Sequence, residues 1–182
     1  VVAALLHRLR LGGLALVAAF FTTVYFVAGF TFTPLTATRK IFLLGLAAPV
    51  IGILVDFAFR PTRFGTAMLA LAGAASAVWV FGPVLSQKGT PEAWLFGGAA
   101  ALAVAWMVGF GQIVLAEHPV RAGAAGLGLG LGVGVASIFA ASATYGLYGI
   151  SLGVGAGALL LVQMITGTKG FAGATFMLPA ML

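Results

Sequence analysis

Few residues in this chain have the chemistry of a reactive site. A serine nucleophile needs a histidine or a comparable base within hydrogen-bond reach, and the sequence offers two histidines, His7 and His118. Both border apolar stretches, where a membrane edge is expected, and His118 precedes a proline in a connecting segment. Ser142, within Ala140-Ala141-Ser142-Ala143-Thr144, is therefore expected to bond to backbone at a helix end. Cysteine is absent, which removes thiol nucleophiles, redox pairs, thiolate metal sites and disulfides. In Glu117-His118 an acid and a histidine are adjacent, but neighbours in sequence do not share a helical face and no third ligand follows, so no metal site is expected.

Phosphate recognition fails on spacing. The glycine run from Gly123 to Gly134 contains G-x-G fragments but never the last glycine of G-x-G-x-x-G, and no G-x-x-x-x-G-K-[ST] occurs. No catalytic residue, metal ligand or cofactor is expected, and an enzyme is not; a bound lipid or another hydrophobic molecule would suit the composition. The polar side chains that remain for internal contacts are Gln112 and Gln163, each able to hydrogen-bond across helices for about 1 kcal/mol. Asp56 and Arg60 stand at i and i+4 near the end of an apolar stretch and read as an interfacial ion pair with snorkelling side chains.

The elements that carry these residues follow from composition. Apolar residues make up 62% of the 182 and charged residues only 7%, against roughly 25% charged in soluble domains. Such an inventory cannot clothe a water-facing surface. An all-α, polytopic transmembrane helical bundle is expected, forming one integral membrane domain over residues 1–182. A span needs about 20 mainly apolar residues, and six windows qualify: 11–30, 41–59, 66–85, 94–115, 122–143 and 147–165. Residues 171–182 read as the start of a further span. A β-barrel is excluded because no alternating polar segments of strand length occur. Turn chemistry marks the connections at Thr33-Pro34, Arg60-Pro61, Lys88-Gly89-Thr90-Pro91 and His118-Pro119. Pro49 interrupts the second window and is expected to free a backbone carbonyl there.

Nine basic residues against three acids give a formal charge of +6. They lie singly or in pairs between apolar stretches, so anionic lipid headgroups rather than nucleic acid are the expected counterions. With six crossings, Arg8, Arg10, Arg60, Arg63, Arg121 and Lys169 share one side and Arg39, Lys40 and Lys88 the other. This bias places both termini in the cytoplasm, in a membrane of the bacterial inner type.

Glycine, with 27 residues, is the small residue whose placement this arrangement has to explain. Gly126, Gly128, Gly130, Gly132 and Gly134 alternate with Leu and Val, a period that suits a strand. A lone strand inside a bilayer would leave its backbone unsatisfied, so helix is expected. Gly126, Gly130 and Gly134 then share one face and Gly128 and Gly132 the opposite one, which predicts a fifth helix in the bundle interior or between the bundle and a partner. Gly149, Gly153 and Gly157 form a second stripe on the sixth helix, with Gly155 off it. The first window carries a wide aromatic side of Phe20, Phe21, Tyr25, Phe26 and Phe30. Two functions fit these features. One is a non-catalytic accessory or scaffold subunit packed among other transmembrane subunits, or in a homo-oligomer, and bathed in membrane lipid. The other is a channel or transporter for a small neutral or apolar solute, with Pro49, Gln112 and Gln163 near its path.

Overall fold

The structure, a computed structural model, describes residues 3, 13–27, 29, 36–58, 63–115, 118–140 and 142–166. All regular structure among them is helical: α1 (Leu14–Val27), α2 (Ala37–Ala58), α3 (Arg63–Leu85), α4 (Thr90–Leu115), α5 (Pro119–Phe139) and α6 (Ala143–Thr166). Five stretches are long and apolar enough to cross a membrane: Thr38–Val55, Arg63–Leu85, Thr90–Val114, Val120–Phe139 and Ala143–Thr166. Helix α1 is shorter than its expected window, and residues 11, 12, 28 and 30 of that window lie outside the described residues, as do 171–182.

Local chemistry sets several helix ends. Gly29 adopts φ +63° after α1, and its N–H donates to the Val24 carbonyl at 3.1 Å. This is the closure that a glycine in left-handed geometry gives a helix C-terminus. Pro91 and Glu92 lie in the first turn of α4, where a missing N–H costs nothing and an acid meets the positive end of the helix dipole. Glu92 also pairs with Lys88 at 3.7 Å, and the Lys88 ammonium sits 4.8 Å from the Phe96 ring centre. Pro119 opens α5. That helix ends at Phe139 rather than at the expected 143, and the Ser142 N–H closes the turn on the Ser137 carbonyl at 2.9 Å.

Two cores organise the bundle. Leu16, Phe20 and Val24 of α1 meet Phe42 of α2, Ala122 of α5, and Tyr148, Leu152, Ala156 and Leu159 of α6. Ala48 of α2 meets Leu69 of α3 and Val108 of α4, with Val55 and Val104 beside them. Helix α2 thus contributes to both cores, while α3–α4 and α5–α6 are antiparallel hairpins that begin at the same end of the bundle.

The glycines explain how closely α5 and α6 approach. A methyl group added at Gly149 would lie 2.6 Å from the Gly134 Cα, and one at Gly134 would lie 2.7 Å from the Ile150 backbone nitrogen. Gly130 and Gly153 oppose each other in the same way. Backbone therefore rests on backbone, a separation that only residues without side chains permit. Gly157 opposes Leu127, whose side-chain carbon would lie 3.3 Å from an added methyl.

The interior position expected for the fifth helix belongs to the sixth. Gly128 and Gly132 of α5 face open space. It is Gly155, off the expected stripe, that receives a second neighbour: a methyl there would lie 2.8 Å from the Leu16 Cα of α1. Helix α6 is consequently covered on opposite faces by α5 and α1. The aromatic side of α1 is also divided, since Phe20 is core whereas Tyr25 and Phe26 are exposed.

Candidate functional site

Apart from Ser151, whose hydroxyl donates to the Tyr148 carbonyl at 2.8 Å within α6, the most buried polar side chains lie near the two ends of the bundle. At the end where α2, α4 and α6 begin, the Thr38 and Tyr145 hydroxyls lie 3.2 Å apart and tie α2 to α6. One turn along α6, Tyr148 is packed edge-on against Phe20 and Phe42 at centroid distances of 5.5 and 5.7 Å. Its hydroxyl is buried and has no hydrogen-bond partner.

Lys40 is buried at the same end, with 8% of its surface exposed. Its ammonium donates to the Trp79 carbonyl at 2.8 Å and stands 5.2 Å from the centre of the Trp79 ring. The cause lies in α3. Pro83 has no N–H, so the carbonyl one turn before it, that of Trp79, loses its intrahelical donor. Lys40 supplies the donor from α2. Sequence reasoning placed Lys40 among the edge cations only; the spacing of Trp79 and Pro83 was the available signal.

At the opposite end stand the two glutamines. Gln163 is 1% exposed on α6, and neither its Oε1 nor its Nε2 has a hydrogen-bond partner. Its Oε1 lies 3.3 Å from where a methyl at Gly123 would be. Gln112 is 9% exposed on α4, one turn beyond the core residue Val108, with its Nε2 unpartnered. Gln163 is one turn beyond Leu159 of the other core. Each amide thus stands one turn beyond a different core.

No family model, curated protein or solved structure matches the chain. Function therefore has to be argued from these side chains. The predicted pair of Asp56 and Arg60 lies outside the described residues, as regards the Asp56 side chain and the whole of Arg60, and so do His7 and Glu117. His118 is exposed just before α5 and makes no side-chain cap. Among the described residues, no three His, Cys, Asp or Glu side chains gather as metal ligands would. What the arrangement offers is helix-to-helix adhesion by small residues, one buried cation on a carbonyl, and buried neutral groups with hydrogen-bonding capacity to spare.

Proposed function

We propose that the chain is a non-catalytic integral membrane subunit that packs within a larger membrane protein complex. The observation that carries this is the outer face of α5. Ala124, Gly128, Gly132 and Ala136 recur at every fourth position, all exposed, and nothing lies within 4 Å of a methyl built at Gly128 or Gly132. Glycine costs a helix interior about 1 kcal/mol relative to alanine, and lipid contact gives no return for it. A neighbouring transmembrane helix does, because a small-xxx-small stripe lets two backbones approach. The inner stripe of the same helix, seated on α6, is the working precedent.

The alternative of a solute path requires Gln112 and Gln163 to line one route, and their division between separate cores favours the subunit role. Within this proposal both termini are cytoplasmic, the membrane is of the bacterial inner type, lipid fills the remaining apolar surface, and no cofactor is required. Isolation from native membranes in mild detergent, followed by mass spectrometry, tests it. Other transmembrane subunits should be recovered in fixed ratio, and Gly128→Leu with Gly132→Leu should release them. Recovery of only the monomer or a homo-oligomer at every detergent strength would overturn the proposal.

A further inference from the structure

The helices fall into two bodies that share no core residue. In the first, α6 is seated on α5 through the opposed glycines and on α1 through Gly155 against Leu16, with Leu152, Ala156 and Leu159 in the core between them. In the second, α3 and α4 lock together through small residues of their own. A methyl at Gly73 would lie 3.1 Å from Val104 and 3.2 Å from Val108, one at Gly97 would lie 3.0 Å from Leu85, and one at Gly109 would lie 3.7 Å from Ala70. Contact within each body is extensive, whereas α3 meets α2, and α4 meets α5, only sparsely. Bodies joined by a small interface move relative to one another unless something holds them.

Helix α2 belongs to both bodies, and its residues divide it between them. Thr38, Phe42 and Gly45 serve the first: Thr38 pairs with Tyr145, Phe42 lies in the first core, and Gly45 is seated against the Phe20 ring. Ala48 and Val55 serve the second, beside Leu69, Val104 and Val108. The change from one body to the other falls at Pro49. Proline has no N–H, so the Gly45 carbonyl one turn earlier loses its helical donor, and the proline ring crowds that carbonyl. Such a residue is where a helix bends. Lys40, on the first half of α2, reaches across to the Trp79 carbonyl of α3 in the second body.

We infer that α2 is a hinge at Gly45–Pro49 about which the α3–α4 hairpin swings as a unit against α1, α5 and α6, and that the bond from Lys40 to Trp79 latches the closed arrangement. With the latch made, α2 runs through Pro49 as one helix from Ala37 to Ala58. Bending there breaks no hydrogen bond between residues 45 and 49, because proline leaves none to break. It does part Lys40 from Trp79, since the donor stands before the hinge and the acceptor is carried by the body beyond it. The latch is a single charge-assisted bond, strong for its kind but local. Because the two cores have no residue in common, the swing leaves the packing inside each body intact. This is a hinge motion, with the change in backbone angles confined to a few residues.

The chain has no cysteine, so spin labels can be placed on introduced pairs in the full chain in lipid nanodiscs. Leu102→Cys on α4 with Val154→Cys on α6, both exposed, reports across the hinge. Leu71→Cys with Leu102→Cys reports within the hairpin, and Val133→Cys with Val154→Cys within the other body; these positions are exposed as well. Pulsed electron–electron resonance should give one narrow distance across the hinge while Lys40 is in place. Lys40→Met should add a second distance there and leave both within-body distances as they were. Adding Pro49→Ala, which restores the helical N–H, should abolish that second distance. A single unchanged distance across the hinge in Lys40→Met, or two distances with Lys40 in place, would overturn the latch. A change within either body would overturn its rigidity, and a second distance that survives Pro49→Ala would overturn the hinge. Lys40→Gln, one bond shorter than lysine and uncharged, should give the same second distance and serves where the methionine variant does not fold; an unchanged single distance in it would likewise overturn the latch.

Discussion

The ammonium of Lys40 donates at 2.8 Å to the carbonyl of Trp79, the acceptor that Pro83 leaves without its helical donor. A proline in one helix is thus made good by a cation from the preceding one. The pairing fixes α2 against α3 two residues from Phe42 of the first core.

Removing the donor should expose that dependence. Lys40→Met keeps the aliphatic length but strands the Trp79 carbonyl, at an expected cost of about 1–3 kcal/mol. Pro83→Ala restores an N–H to α3. The cost of Lys40→Met should therefore shrink by about 0.5 kcal/mol or more in the Pro83→Ala background, as coupled residues behave. Thermal denaturation of the four variants in one detergent measures the cycle, and simple additivity would argue against the relationship.

Glycines on the two faces of α5 should respond in opposite ways. At Gly134 a methyl would lie 2.7 Å from the Ile150 backbone nitrogen, and backbone cannot step aside. Gly134→Ala should destabilise the isolated chain by about 1–3 kcal/mol or more, the cost of overpacking. At Gly128 nothing lies within 4 Å, so Gly128→Ala should be neutral or raise stability by up to about 1 kcal/mol. Melting temperatures of the two purified variants decide it.

Gly45 tests the first core from α2. A methyl there would lie 2.7 Å from the edge of the Phe20 ring, and Phe20 is itself locked among Phe21, Phe42 and Tyr148. Gly45→Ala should lower the melting temperature. Phe20→Leu, which vacates the ring edge, should make the second substitution less harmful than it is alone.

The end of α1 depends on backbone geometry rather than on space. Gly29 has φ +63° but nothing within 4 Å of its methyl position. Gly29→Ala is therefore strained for conformational reasons only and should cost about 1 kcal/mol. Deuterium exchange should quicken at the last turn of α1 with little change in α5 or α6.

Much of the architecture was legible in the residues themselves. Hydropathy is a property of each segment taken alone, so the helices from α2 to α6 could be located within a few residues of their ends. The alternating glycines from Gly126 to Gly134 could be assigned to a helix because a bilayer forbids a lone strand. Gln112 and Gln163 were visible as internal polar side chains, whereas the interruption expected at Pro49 is not seen, since α2 runs through it as one helix from Ala37 to Ala58. The order of the helices around one another was not legible. A glycine stripe states that a backbone can approach, but not which backbone arrives, and Gly128-Gly132 and Gly155 look alike until α1 is placed. Only the tertiary structure put α6 rather than α5 at the centre, divided the two glutamines between two cores, and brought Lys40 to a carbonyl thirty-nine residues away. The sequence by itself determined what each segment is, because burying apolar surface and satisfying the backbone are local demands. The tertiary structure decided which face each helix shows its neighbours, because that depends on contacts between segments far apart in the chain.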